Sequence, residues 1–135
     1  GSARLDPNLN IKAAELLLTL AKLHFPEGDY SSASCYEHYH PVDGTPCWYR
    51  GIDDYLHCWI IDLIVRYVAG FQPDADGKRL SINPLPLEIG GISLRNLPWG
   101  GSMYDIMLDA GTSTVVRDGR QIARGRFPLT VELAV

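Results

Sequence analysis

The spacing of apolar residues changes at Gly70, and that change limits the folds open to this chain. Before it, Ile11, Ala14, Leu18 and Ala21 fall on one helical face, and Ala13, Leu16, Leu17 and Leu20 widen that face over most of the circumference. Ile52, Leu56, Trp59/Ile60, Leu63/Ile64 and Tyr67 form a second helical stripe. After Gly70 the period is two: Leu80 and Ile82 alternate with Arg79, Ser81 and Asn83, while Tyr104, Ile106 and Leu108 alternate with Met103, Asp105, Met107 and Asp109. A period of two puts successive side chains on opposite faces of a strand. The fold class expected is therefore α+β, a two-helix hairpin followed by a small antiparallel β subdomain. Gly1-Ser2 reads as a tag remnant, residues 3–72 as the helical hairpin with a functional loop at 30–50, and residues 73–135 as the β subdomain.

Local signals set the element ends. Asp6-Pro7 suits a helix start, with a short acceptor at the N-cap and a proline at the first position, where its missing N–H would be unbonded anyway. The first helix is predicted from about Pro7 to His24, buried on more than one side, and ended by Phe25-Pro26-Glu27-Gly28. The second is predicted from about Ile52 to Ala69, with Asp53 and Asp54 complementing its positive end and Gly70 stopping it. In the β half, Val115-Val116-Arg117 and Arg120-Gln121-Ile122 flank Asp118-Gly119, a two-residue type I′ loop that needs positive φ at both positions. Short strands are also expected near Leu80–Asn83, Ile89–Leu94, Tyr104–Leu108 and Phe127–Leu133.

Charge and hydropathy exclude several function classes. Sixteen acidic against twelve basic residues give a net charge of −4, and the longest basic run is the Lys78-Arg79 pair, so no footprint for nucleic acid is present. The most apolar stretch, Leu56 to Val68, is interrupted by Asp62 and Arg66 and is too short to span a bilayer. A cytoplasmic protein without a membrane partner is expected. Cys35, Cys47 and Cys58 read as reduced thiols. With no Cys-x-x-Cys or His-x-x-x-His spacing, neither a metal site nor a cofactor is expected.

Residues 30–50 lack periodicity and are rich in Tyr, Ser, His and Trp. Loops beyond about 12–15 residues inside compact domains are usually functional. Within this one, Tyr36-Glu37-His38-Tyr39-His40-Pro41-Val42-Asp43-Gly44 sets one carboxylate among aromatic and imidazole rings and closes on two turn signals, Pro41 and Asp43-Gly44. Flat rings stack on the C–H faces of a pyranose while a carboxylate moves a proton, the combination that glycosidic cleavage uses. Glu37 is the candidate catalytic residue, and Tyr36, Tyr39, His40, Trp48 and Tyr49 are candidate saccharide contacts. A loop-organising Glu37 and packed rings are the plainer reading of the same residues.

The order of parts, with that loop between two helices and Leu80-Ser81-Ile82-Asn83-Pro84-Leu85-Pro86 and strands after it, resembles the C-terminal end of the six-hairpin (α/α)6-toroid glycosidases. These are the trehalases, processing α-glucosidases, amylo-α-1,6-glucosidases and mannosylglycerate-hydrolase-like enzymes. The resemblance covers most of the chain. Glu37, Tyr39, Pro41 and Gly44 match the family's Glu-x-Tyr-x-Pro-x-x-Gly-like loop, whose glutamate is the general base. It implies that the helical pair ends a toroid and that Glu37 activates water for an inverting hydrolysis. The family's general acid is an aspartate of an earlier hairpin, and no residue here matches it. The resemblance thus implies the last part of a longer enzyme, inactive alone, with the remainder of that enzyme as a partner and exposed helix faces inviting self-association. A non-catalytic carbohydrate-binding or protein-interaction module is the alternative.

Overall fold

A computed structural model describes residues 7–25, 28–29, 31, 36, 38–47 and 59–133. The chain divides into two compact units, residues 1–62 and 63–135.

In the first unit, helix α1 spans Pro7–Leu23. Its start coincides with the proline signal, although Asp6 lies outside the described residues. Strong helix formers fill it, Lys12 pairs with Glu15 across one turn at 3.1 Å, and the closing turn tightens as His24 N–H and Phe25 N–H donate to Ala21 O and Lys22 O. His24 is buried, and its Nδ1–H donates to Leu20 O at 2.7 Å, which satisfies a carbonyl that the helix end would leave unbonded.

The burial of α1 differs from the expectation. Among the residues of α1 whose burial is described, only Ala14 and Leu17 are buried, with His24 just past the helix, a narrow stripe at helical spacing, while Leu9, Ile11, Leu16 and Leu18 are exposed. Periodicity identifies residues that share a face; it does not supply an element to cover that face.

Trp59–Leu63 forms a short helix, α2, which continues as a π-helical segment, Ile64–Val68. Ala69 N–H donates to Ile64 O at 2.9 Å, an i to i−5 bond. The β-branched run Ile60, Ile61, Ile64, Val65 and Val68 favours helix weakly. Neighbouring groups in the second unit satisfy the segment's last carbonyls: Gln72 Nε2 donates to Arg66 O at 3.1 Å and Leu85 N–H to Tyr67 O at 2.8 Å. Of the predicted second stripe, Trp59, Ile64 and Tyr67 are exposed, and Ile52 and Leu56 lie outside the described residues.

The second unit carries seven strands in two antiparallel sheets. The first sheet has the order β1-β2-β7, from Phe71–Pro73, Arg79–Ile82 and Leu129–Glu132. The second has the order β3-β4-β5-β6, from Ile92–Trp99, Ser102–Asp109, Thr112–Arg117 and Arg120–Arg126. Leu80, Ile82 and Val131 from one sheet and Tyr104, Ile106, Leu108 and Val115 from the other form the core with Phe71 and Leu133. Phe71, Trp99 and Tyr104 meet edge to face, with centroids 5.6–6.0 Å apart.

This architecture corrects the expected α+β fold, a two-helix hairpin ending an (α/α)6 toroid with a β appendage. Among the described residues strand outnumbers helix, and the helical elements are α1 and the short, partly π-helical segment at 59–68. Among the described residues there is no toroid-type helical hairpin: α1 has exposed apolar positions on its flanks, and the second helical segment is too short and irregular to pair along it.

The Asp118-Gly119 turn forms as its sequence signal predicts, with φ of 50° and 78° and Arg117 facing Arg120. Asp118 also ties this turn to the start of β4. Its N–H donates to Met103 O, and its carboxylate accepts Met103 N–H, both at 2.8 Å.

Candidate functional site

The loop singled out in the sequence folds as a tight hairpin over residues 38–47. His40 N–H donates to Thr45 O at 2.8 Å and Cys47 N–H to His38 O at 3.0 Å, with Tyr39 and Pro46 as the antiparallel bridge. Gly44 N–H donates to His40 O at 2.9 Å and closes the turn through Pro41, Val42 and Asp43. Proline and glycine are needed at those places: Pro41 presets a turn backbone, and Gly44 has φ of +73°. A Cβ at Gly44 would come within 2.6 Å of Leu23 Cδ2, so a side chain there would also have to displace that methyl at the end of α1.

Asp43 organises the turn. Its Oδ1 accepts from Thr45 N–H at 3.0 Å and from Thr45 Oγ1–H at 2.7 Å, and His40 Nδ1 lies 3.0 Å away. The Thr45 hydroxyl and amide, with a smaller contribution from His40, hold the Asp43 carboxyl below the usual aspartate range. Because a carboxylate only accepts, the His40 proton at this contact sits on Nδ1, which leaves Nε2 as an acceptor in the neutral ring. The same Asp-x-Ser/Thr device occurs at Asp29, whose Oδ1 accepts from Ser31 N–H at 2.9 Å and from Ser31 Oγ–H at 2.6 Å, also lowering its pKa.

Of the six predicted site residues, Tyr36, Tyr39 and His40 are described, whereas Glu37, Trp48 and Tyr49 lie outside the described residues. Tyr36 and Tyr39 are half-buried and meet edge to face, with centroids 6.2 Å apart at 89°. His40 is exposed at the turn. Tyr36 N–H donates to the Tyr39 hydroxyl at 3.0 Å, a bond that spans Glu37 in the chain. Sequence reasoning treated Tyr39 as a sugar-facing ring and missed this bond, because a side-chain-to-backbone contact three residues back leaves no periodic trace. The Asp43 contacts were within reach of the sequence, since Asp-Gly-Thr after proline is an Asx-turn pattern.

Among the described residues no group of three or more His, Cys, Asp or Glu side chains converges to hold a metal. Cys47 is free and exposed, and Cys35 and Cys58 lie outside the described residues. No helix among the described residues is long and apolar enough to cross a membrane. In the β unit, a shallow cleft of about 160 Å³ is lined largely by Leu85, Leu87, Ile89, Leu108 and Phe127, with the Asp109 carboxylate at its wall. It contains none of the predicted site residues. Compared with family models, curated proteins and solved structures, the chain matches none, so the geometry of the 36–47 hairpin is what a functional reading has to stand on.

Proposed function

We propose that the chain supplies the general base, Glu37, and part of the saccharide-contacting surface of an inverting glycoside hydrolase. The general acid comes from another part of a longer protein. The observation that carries this reading is the anchoring of the backbone on both sides of Glu37: Tyr36 N–H to the Tyr39 hydroxyl, and His38 O to Cys47 N–H, each at 3.0 Å. A proton-transfer group works from a fixed position, and such a group is best carried on a braced frame.

In the proposed step a water oxygen attacks the anomeric carbon while Glu37 takes the water proton. The bond to the leaving oxygen breaks as the acid protonates it. The two carboxyl groups stand about 6.5–9.5 Å apart to admit the water. One carboxylate cannot serve both roles in a single displacement, so the chain is inactive alone. Tyr36, Tyr39, Trp48 and Tyr49 offer ring faces to the sugar, and His40 offers a hydrogen-bonding nitrogen. The exposed Leu9, Ile11, Leu16 and Leu18 of α1 support a place within a larger enzyme, whose remaining parts would cover them.

Glu37→Gln in the intact enzyme is expected to lower glycoside hydrolysis by about 10²–10⁴-fold. Activity within a few-fold of wild type would sink the assignment. The exposed tip of the hairpin, where Val42 is 87% accessible, favours one other reading, a saccharide-binding module. That reading requires saccharide binding by the chain alone that survives Glu37→Gln and is lost in Trp48→Ala or Tyr49→Ala.

A further inference from the structure

We propose that the open edge of β6 takes an extended acidic segment of a partner protein as an added antiparallel strand, with carboxylates at alternate positions meeting Arg124 and Arg126. This surface lies wholly in the β unit and is independent of the reading of Glu37. β6 is an end strand of its sheet, and β7, next along the chain, pairs in the other sheet. Other edges are blunted: β1 has three residues and ends on Pro73, while β3 is bent by the bulge at Asn96 and carries Pro98. β6 has seven residues and no proline, and past a bulge at Ile122 it pairs regularly with β5 from Ala123 to Arg126. Phe127 N–H donates to Gly111 O at 3.3 Å, which sets the alternation of the ladder. Gly125 and Ala123 therefore bond toward β5, and the N–H and C=O of Arg124 and Arg126 turn to the open edge. Such a row of backbone groups is a template for another strand.

The side chains select the occupant. β6 carries Arg120, Arg124 and Arg126, and neither β6 nor β5 holds an acidic residue. Arg124 lies opposite Thr114 and Arg126 opposite Thr112, so the two arginines share one exposed face of the sheet, two residues apart. Among the described residues neither guanidinium has an ion-pair partner, whereas Arg117 is engaged by Ser102 and Asp118. Asp109, which shares a row with Thr112 and Arg126, stands one strand further in. In a chain of net charge −4 this stripe runs against the overall sign. A second copy of β6 would set arginine against arginine, and like charges directly opposite destabilise a strand pair. Glutamates at i and i+2 of an added strand instead meet both guanidinium groups in charge-assisted bonds. The residue between them turns to the other side of the sheet, where Leu129 lies against Gly125 and an apolar side chain fits.

The probe is the capped peptide Ser-Glu-Val-Glu-Val-Glu-Ser, titrated into the full chain at low ionic strength and followed through backbone amide shifts. The Arg124 and Arg126 amides are expected to shift, and their hydrogen exchange to slow about tenfold at saturation. Arg124→Glu combined with Arg126→Glu is expected to weaken binding about tenfold. Two modified peptides leave the protein untouched. N-methylation of the glutamates, whose N–H groups would face β6, is expected to abolish binding, and N-methylation of the valines, whose N–H groups would face away, to change it by less than about threefold. An N-methyl-glutamate peptide that binds as well as its parent overturns strand addition. So does equal binding by Ser-Glu-Glu-Glu-Val-Val-Ser, which keeps the charge and loses the alternation. Unchanged affinity in the doubly reversed variant overturns the role of the two arginines. If the parent peptide moves neither amide, or a heparin hexasaccharide binds the same edge more tightly than the peptide, the assignment of an acidic peptide fails.

Discussion

Three turns in this molecule carry the dipeptide Asp-Gly, at 43–44, 76–77 and 118–119, and the first and last use it differently. At Asp118-Gly119 both residues have positive φ, strands β5 and β6 run straight into the turn, and Val115 three residues before it is fully buried. At Asp43-Gly44 only the glycine has positive φ, the turn spans His40 to Gly44, and the flanks are joined by one bridge and two backbone bonds. The Asp118 carboxylate reaches across to Met103 N–H in the neighbouring strand β4; the Asp43 carboxylate folds forward onto Thr45, two residues on. The flanking residues decide. Val and Ile on either side of Asp118-Gly119 have a sheet to join and a core to fill, whereas His38, Tyr39 and His40 do not build a core, and their polar atoms bind the hairpin to itself. One Asp-Gly turn serves stability, and the other presents rings and imidazoles.

The sharpest way to break that contrast is to empty the core behind the Asp118-Gly119 turn. Ile106 is fully buried and lies opposite Val115 in the β4–β5 register. Ile106→Ala is expected to cost about 2–5 kcal/mol through lost burial and the cavity left behind. At about 4–8 °C per kcal/mol for a unit of this size, the thermal midpoint of the β unit falls by about 8 °C or more. Amide protection at Thr45 and Cys47 is expected to be unchanged, since no residue of the 38–47 hairpin belongs to that core. A matching loss of protection in the hairpin would show that the two turns share one stability and would remove the distinction.

The contrast also explains what the sequence disclosed. Asp118-Gly119 was legible because a turn dipeptide, β-branched flanks and alternation all point the same way. The strand Phe71–Pro73 was not, since three residues are too few for a pattern. The second half of β3 was hidden by a bulge: Asn96 has φ of 56° and its N–H is bonded to the Asp105 side chain at 2.9 Å, so the alternation slips by one residue between Leu94 and Leu97. The start of α1 was legible from Pro7, but its burial was not, because helical periodicity cannot say whether a partner helix exists. The toroid expectation failed at that point, and at the π-helical turns of 64–68, whose i to i−5 bonding an apolar stripe does not reveal. In the candidate site, Pro41 and Asp43-Gly44 announced the turn, while the Tyr39 tether was visible only in three dimensions.

Glycine substitutions sharpen the comparison at a smaller scale. Gly119 has φ of 78° and open space around the position of a Cβ, so Gly119→Ala pays only the left-handed backbone cost, about 1–2 kcal/mol. Gly44→Ala meets the same backbone cost and in addition pushes a methyl against Leu23 Cδ2. It is therefore expected to be the more disruptive of the two within its own unit, with faster amide exchange at Thr45 and Cys47 and a changed Leu23 methyl resonance. If Gly44→Ala leaves those amides as protected as in wild type, the hairpin is not braced on α1.

The smallest expected effect is in acid, where the two aspartates can be followed separately through the amides they accept. Hydrogen bonds from Met103 N–H and Ser102 hold Asp118 below the ordinary aspartate value, and the Thr45 hydroxyl and amide do the same for Asp43. A carboxyl with a depressed folded-state pKa contributes stability that is present above the unfolded value, about 3.9, and is lost as the pH falls through the folded value. In a titration from pH 6 downward, the Met103 and Thr45 amide shifts are accordingly expected to hold to below about pH 4 and then move. Asp118→Asn is expected to flatten the acid loss of the β-unit midpoint. Asp43→Asn is expected to leave that midpoint alone and change only the exchange of hairpin amides. An Asp118 that titrates at or above the ordinary value would deny its bond to β4 a role in the β unit. The same result for Asp43 would leave the hairpin held by its backbone bonds and the Tyr39 hydroxyl.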